Sequence, residues 1–270
     1  MSTVLDLSSA TALVTGASGG IGGIGEQFAR QLAARGASLV LTARSTDKLQ
    51  GLASELRQAH PRAAITVLTA DLSDPGAPAK LAADLTAAGT TVDLLVNNAG
   101  IGSYGLFAGE DTDAVVGQVQ LNCVSVAALT SLLLPGMLTR GRGGVINVSS
   151  TSAFQPIPTM AVYGASKAFV LSFTEAVWVE TRGTGVHVLA LCPGPTSTPF
   201  FDTASPDQAF LTRGRQSPHQ VVALALRTFQ SGRGPTVISG NANRLSSMGY
   251  RVLPRAIMAR MAGNRMSRSS

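Results

Sequence analysis

Cysteine and histidine are scarce in this chain, with two of the first and three of the second among 270 residues. Cys123 and Cys192 both lie in apolar segments, so they read as buried free thiols and not as a disulfide framework. His60, His187 and His219 have no metal-ligand spacing with one another or with the cysteines, and no metal site is expected. No apolar run reaches the ~18 residues that a membrane span requires. The opening Met1-Ser-Thr-Val-Leu-Asp6 lacks the basic and apolar segments of a signal peptide, so a cytoplasmic location is expected. Acid is missing from residues 208–270, which hold ten arginines, whereas residues 1–207 carry 11 basic and 15 acidic side chains. That asymmetry suits an acidic partner, a membrane surface or an anionic substrate. It is too dispersed for a nucleic-acid motif, and no nucleic-acid partner is expected.

What is present is a large apolar fraction, 45% of the chain, enough to bury the core of one large α/β domain or two small ones. Ala12-Leu-Val-Thr15 reads as a buried strand running into glycine, and a helix follows from Glu26 to Arg35. Strand, glycine turn and helix together make a dinucleotide site of a motif that is weak alone. Glycine lets the backbone approach a pyrophosphate, whose charge favours a helix N-terminus. Further strands are read at Ser38–Ala43, Ile65–Leu72, Val92–Val96, Gly144–Val148, Val186–Leu191 and Thr236–Ile238. Helices alternate with them, one long one covering about Thr112 to Leu138. The second strand ends in Ala43-Arg44-Ser45, with no acid to bond a ribose 2′-hydroxyl and an arginine suited to a 2′-phosphate. NADP is therefore favoured over NAD. Ser217-Pro218-His219-Gln220 is a helix start, which argues against His219 as a catalyst.

Tyr163 and Lys167 stand i to i+4 on a helix, which puts them on one face, one turn apart. An ammonium beside a phenol favours the phenolate and would lower a pKa of ~10 toward the range useful for acid–base work. A core tyrosine with a solvated lysine is the plainer reading of the pair alone. Around it, in order, stand Thr15-Gly-Ala-Ser-Gly-Gly-Ile-Gly22, Asn97-Asn-Ala-Gly100, Asn122, Ser150 and Pro193-Gly-Pro-Thr196. With these motifs, from about residue 8 to 240, the chain resembles the short-chain dehydrogenase/reductase family. The resemblance implies a single Rossmann-like domain, a doubly wound parallel sheet of about seven strands over residues 1–240. A basic amphipathic extension, 241–270, follows it.

The same resemblance implies an NADP(H)-dependent oxidoreductase that exchanges hydride with a ketone or secondary alcohol. Tyr163 would be the proton donor and Ser150 the residue that polarises the carbonyl, with Ser149 as fallback. Lys167 would support the tyrosinate and hold the nicotinamide ribose, and Asn122 would hold a water that relays protons to it. Cofactor contacts fall on Gly16, Ser18, Gly23, Ile24, Gly25, Arg44, Ser45, Asp71, Leu72, Asn98, Ala99, Gly100, Pro193, Gly194, Thr196 and Thr198, besides Tyr163 and Lys167. Tyr104, Phe107, Phe154, Met160, Phe200 and Phe201 suggest an apolar pocket, for a steroid-like ketone or a 3-ketoacyl chain. A homodimer or homotetramer is expected. A redox sensor that binds NADP without turnover, or a scaffold on a membrane surface, are the competing readings.

Two stretches depart from the family pattern. The repeat Gly-Gly-Ile, Gly-Gly-Ile over residues 19–24 looks like a three-residue duplication in the glycine loop. The strand through Leu13 and Val14 and the helix register through Phe28 and Leu32 are both fixed by burial. The extra residues are therefore expected as a bulge at Gly19 to Gly22, with Gly23-Ile24-Gly25 opening the helix. Beyond Asn241, Met248, Val252, Ile257, Met258 and Met261 form an apolar stripe beside arginines. That stripe would pack on a sister subunit, cover the pocket, lie on a membrane surface, or stay loose.

Overall fold

The structure, a computed structural model, describes residues 5–18, 23–198, 215–249 and 255–267. β1 (Thr11–Thr15) and β2 (Ser38–Thr42) each carry one partly exposed residue followed by four buried ones. Runs apolar on both faces suit strands that helices cover from both sides. β3 (Ile65–Val67), β4 (Leu94–Asn97), β5 (Gly143–Val148), β6 (Val186–Cys192) and β7 (Thr236–Ile238) complete the sheet. Its order is β3-β2-β1-β4-β5-β6-β7, and every neighbouring pair is parallel. The order reverses between β1 and β4. In such sheets a ligand crevice opens there, outside the carboxyl ends of the strands.

Each face of the sheet has its own core. On one side α1 (Ile24–Ala33), α2 (Thr46–Ala59) and α7 (Pro218–Gln230) bury Phe28, Leu32, Leu49, Leu56, Leu226 and Phe229. On the other, α3 (Ala77–Ala87) and the helices described next bury Leu81, Leu85, Leu129 and Met137. Each such side chain contributes roughly 1.5–3 kcal/mol by leaving water. Ser217 caps α7 as expected, its hydroxyl accepting from Gln220 N at 3.3 Å.

α4 (Thr112–Val119) runs through a π-helical turn, Gln120–Val124, into α5 (Ser125–Arg140). Thr112–Arg140 is long and apolar enough in composition to cross a membrane, although no continuous apolar run of that length occurs in it. An 18-residue window in Thr112–Arg140 has a mean hydropathy of 1.7, with 39% of it buried. Scattered polar residues such as Asn122, Ser125 and Thr130 interrupt any continuous run, and all three are buried against the rest of the fold. The third strand also stops short of Leu72. β3 ends at Val67, though Leu68 N and Ala70 N still donate to Leu41 O and Ala43 O, and beyond them Asp71 accepts hydrogen bonds from Ser73 N and Oγ, at 3.0 and 2.6 Å.

The C-terminal extension forms α8 (Asn241–Gly249) and α9 (Arg255–Ser267). Met258 and Ala262, one turn apart, are buried, while Ile257 stays 46% exposed, so Ile257 and Met258 do not share one apolar face. Gly263 packs toward Pro158, 3.6 Å from where its Cβ would stand. The extension thus lies on its own chain, beside the loop leading into the helix of Tyr163. Val252 and the side chains of Met248 and Met261 lie outside the description.

Candidate active site

The crevice floor is knitted where β1, β4 and α1 meet. Gly16 has φ 67, and a Cβ there would stand 2.9 Å from both Ala99 Cα and Asn98 Nδ2. Only glycine takes that conformation in so little space. Gly25 is pressed against Gly16 O, and its Cβ would lie 2.5 Å from Asn98 Nδ2. Asn98 Nδ2 donates to Thr15 O (2.9 Å) and Gly16 O (3.3 Å), while Thr15 Oγ1 accepts from Asn98 N (2.9 Å) and Ala99 N (3.0 Å). α1 opens at Ile24 with Gly23 as its N-cap, the register expected. A glycine cap has no side chain to occupy the first N–H groups, so they are open to an anion. Ser18 stands at the near end of this loop, and the expected bulge, Gly19 to Gly22, lies outside the described residues.

Along the same edge Arg44 is exposed and Ser45 caps α2 without a side-chain hydrogen bond. Burial works to raise the Asp71 carboxyl, but the Ser73 hydrogen bonds and the nearby Arg44 guanidinium outweigh it and hold it below its usual value. Leu72 is buried in the core, 3% exposed. Across the crevice Pro193 and Gly194 are buried, Thr196 Oγ1 donates to Gly194 O at 2.8 Å, and Thr198 is partly exposed.

α6 (Ala161–Glu180) carries Tyr163 and Lys167 on one face, with Lys167 Nζ 5.7 Å from the Tyr163 ring centre. Nζ donates to Val148 O at 2.9 Å, which anchors the helix over the end of β5. Ser150, just past β5, caps the turn Thr151–Phe154, accepts from Ser152 N at 3.0 Å, and shares a hydrogen bond with the Tyr163 phenol. Ser149 is committed elsewhere, its hydroxyl donating to Lys167 O at 2.8 Å. Asn122 sits in the π-helical turn, a deviation that often marks functional sites. Its Nδ2 donates to Ile101 O (2.8 Å) and Ser166 Oγ (3.0 Å), and its Oδ1 accepts from Ile101 N (3.0 Å). Gly100 lies between the two groups: its Cβ would stand 3.2 Å from Asn122 Oδ1 and 3.3 Å from Lys167 Nζ.

One expectation is reversed. Burial pushes the Tyr163 phenol up to about 12, the Ser150 hydrogen bond opposing and nearby Cys192 adding to the rise. Burial also pulls Lys167 down to about 8, against Cys123 and Cys192. Desolvation disfavours both charged forms and here exceeds the pairing that the i to i+4 spacing suggests.

The apolar positions scatter. Met160 is buried at the start of α6, Phe154 packs against Leu171, Ala190 and Cys192, and Tyr104 is partly buried. Phe107 is 60% exposed. Gly105 N donates to Thr159 O at 2.8 Å, so the loops bearing Tyr104 and Met160 are joined. Phe200 and Phe201 lie outside the described residues. Sequence reasoning missed a buried network: Asn97 Nδ2 donates to Asn147 Oδ1 (2.9 Å) and Thr130 Oγ1 (3.2 Å), and Asn147 Nδ2 donates to Thr174 Oγ1 (2.9 Å). It ties β4 and β5 to α5 and α6. Its one sequence signal was asparagine inside apolar strand runs.

The family model for short chain dehydrogenases matches residues 10–209. Among curated proteins, the very-long-chain 3-oxoacyl-CoA reductase of Bos taurus is 32% identical over 214 residues, which are 78% of this chain and 66% of that protein. The chain thus spans slightly less than two thirds of that relative's length. Among solved structures, the fold is similar to a short-chain dehydrogenase from Sphingobium yanoikuyae in complex with NADPH, 31% identical with a TM-score of 0.80 over 90% of this chain and 94% of that one. It is also similar to a short chain dehydrogenase/reductase from Burkholderia phymatum in complex with NAD, 25% identical with a TM-score of 0.81 over 90% and 93%.

Proposed function

Because the chain belongs to the short-chain dehydrogenase family of oxidoreductases, we propose that it exchanges hydride reversibly between NADP(H) and an apolar ketone or secondary alcohol. The observation that carries the reading is the meeting of Ser150, Tyr163 and Lys167 at the carboxyl end of β5. The crevice fits a dinucleotide: a side chain at Gly16 or Gly25 would fill the cradle, and the capless start of α1 suits the pyrophosphate. Gly16, Gly23, Gly25, Arg44, Asp71, Lys167 and Thr196 would hold it, and bound there it supplies the hydride.

Around the reacting carbonyl, Tyr163, kept protonated by burial, gives the proton to the oxygen. Ser150 hydrogen-bonds and polarises that oxygen. Lys167 stays fixed by Val148 O, so its ammonium faces the site with one geometry. Asn122 holds Ile101 and Ser166, and so the walls on either side of Gly100. The apolar side chains Phe154 and Met160 and the 3-oxoacyl-CoA activity of the bovine relative support an apolar acyl or cyclic ketone, and exposed Arg44, with no acid at the end of β2, supports NADP.

A panel of 3-oxoacyl thioesters and bulky ketones, followed by loss of NADPH absorbance with NADH in parallel, tests both. Turnover with NADPH is expected, and Arg44→Asp should shift preference toward NADH. A native chain that binds NADH more tightly than NADPH would overturn the cofactor reading.

A further inference from the structure

The loop Pro193–Thr196 leaves β6 at the edge of the crevice, and the residues that hold it come from far along the chain. Gly194 N donates to Ser239 Oγ at 3.3 Å, and that hydroxyl donates to Gln216 Oε1 at 2.5 Å. Gln216 is tied to the same loop by its backbone: its N donates to Pro195 O (2.9 Å), and its O accepts from Ser197 N (3.0 Å). Ser239 is fully buried, and its own N donates to Cys192 O at 3.1 Å. Asn243, in the first turn of α8, closes the group, with Nδ2 donating to Ser239 O at 2.8 Å.

The amide of Asn243 also lies against Gly194. A Cβ at Gly194 would come within 2.7 Å of Asn243 Cγ, and the three nearest atoms to that position all belong to Asn243. Glycine is thus needed at 194 because a side chain of the C-terminal extension occupies the space. α8 also packs against the turn Thr151–Phe154 that Ser150 caps. Two borders of the site, one beside Ser150 and one beside Thr196, therefore rest on a helix beyond the matched stretch.

We propose that Asn243 is a positioning residue for the cofactor. It locks Pro193–Thr196 into the form that takes the nicotinamide half of the dinucleotide, which makes α8 part of the binding apparatus. The inference rests on the reading of this crevice as a nicotinamide dinucleotide site. Ordering a free loop costs conformational entropy, and a loop fixed beforehand spares the ligand that cost.

The test is equilibrium titration of NADPH and NADH against the full chain, with melting temperatures, for wild type, Asn243→Ala, Asn243→Asp, Gly194→Ala and the double variant Gly194→Ala/Asn243→Ala. Both Asn243 variants are expected to weaken cofactor binding about fivefold to tenfold, the loss of one hydrogen bond. The ketone KM at saturating cofactor should stay within about twofold, a split that general destabilisation does not produce. Gly194→Ala should weaken binding more, and the double variant should return to the level of Asn243→Ala, because the clashing amide is gone. Wild-type affinity in both Asn243 variants, or a Gly194→Ala penalty that persists in full in the double variant, would overturn the inference. Should Asn243→Ala not fold, Asn243→Asp decides, since it keeps the shape while a carboxylate oxygen replaces the donor. A wild-type chain that binds neither dinucleotide sinks the cofactor reading itself and this inference with it.

Discussion

Tyr163 and Lys167 pull in opposite directions along the pH scale. With the phenol pushed up to about 12 and the ammonium down to about 8, the proton for reduction is present throughout the neutral range. The charge on Lys167 is lost as pH rises through about 8. Reduction should therefore show a descending limb near that pH in kcat/KM, while oxidation, which needs the phenolate, should rise with pH. Lys167→Arg should abolish the limb in whatever activity remains, and a limb left in place would assign it to another group. Tyr163→Phe should lower turnover about 10²–10⁴-fold with cofactor affinity kept, and Lys167→Ala should lose both. Substantial turnover by the tyrosine variant would end the assignment. The identity and spacing of Ser150, Tyr163, Lys167 and Asn122 were readable because motif order is written in the chain. The direction of the pKa shifts was not, because it depends on how deeply α6 and β5 bury the pair. The Asn97–Asn147 contact likewise needs the parallel register of β4 on β5, which no local pattern states.

At the scale of elements, α1 shows how burial fixes what a loop must do. Phe28 and Leu32 are wholly buried, and Gly25 must meet Gly16, so the helix register cannot slide to absorb extra residues. Deleting residues 20–22 should leave α1 in place and keep or tighten NADPH binding, measured by titration. Loss of binding would show that the longer loop is required. Helix starts were legible where a side chain announces them, as at Ser217. The π-helical turn at Asn122 was not, since residue type alone does not separate an i to i+5 turn from ordinary helix. The end of β3 at Val67 was not legible, since Leu68 and Ala70 still bond to the chain of β2 and the apolar pattern runs on to Leu72.

At the scale of the molecule, the outer face of α4 to α6 is left apolar. Val116, Val119, Leu132, Phe169 and Val179 are each more than 40% exposed, and Phe169 stacks on Phe173 with ring centres 5.9 Å apart. Such a face is expected to pair with a second copy of the chain. Phe169→Asp with Val179→Asp should shift sedimentation toward the single chain, whereas a wild type that sediments as a monomer would count against the pairing.

The strand order also dictates a sequence of construction. A chain made from its N-terminus folds in that direction, and β1, among the first strands made, ends in the middle of the sheet. Once residue 67 has emerged, β1, β2 and β3 can pair, but one side of β1 stays a bare edge until Leu94–Asn97 arrives. Bare edges invite foreign strands, so the growing chain carries that hazard until β4 arrives. From β4 onward each new strand covers the edge before it, ending with β7. Only then do Ser239 and Asn243 follow, to close over Gly194. The Gly194 side of the crevice is closed only after every strand of the sheet is in place.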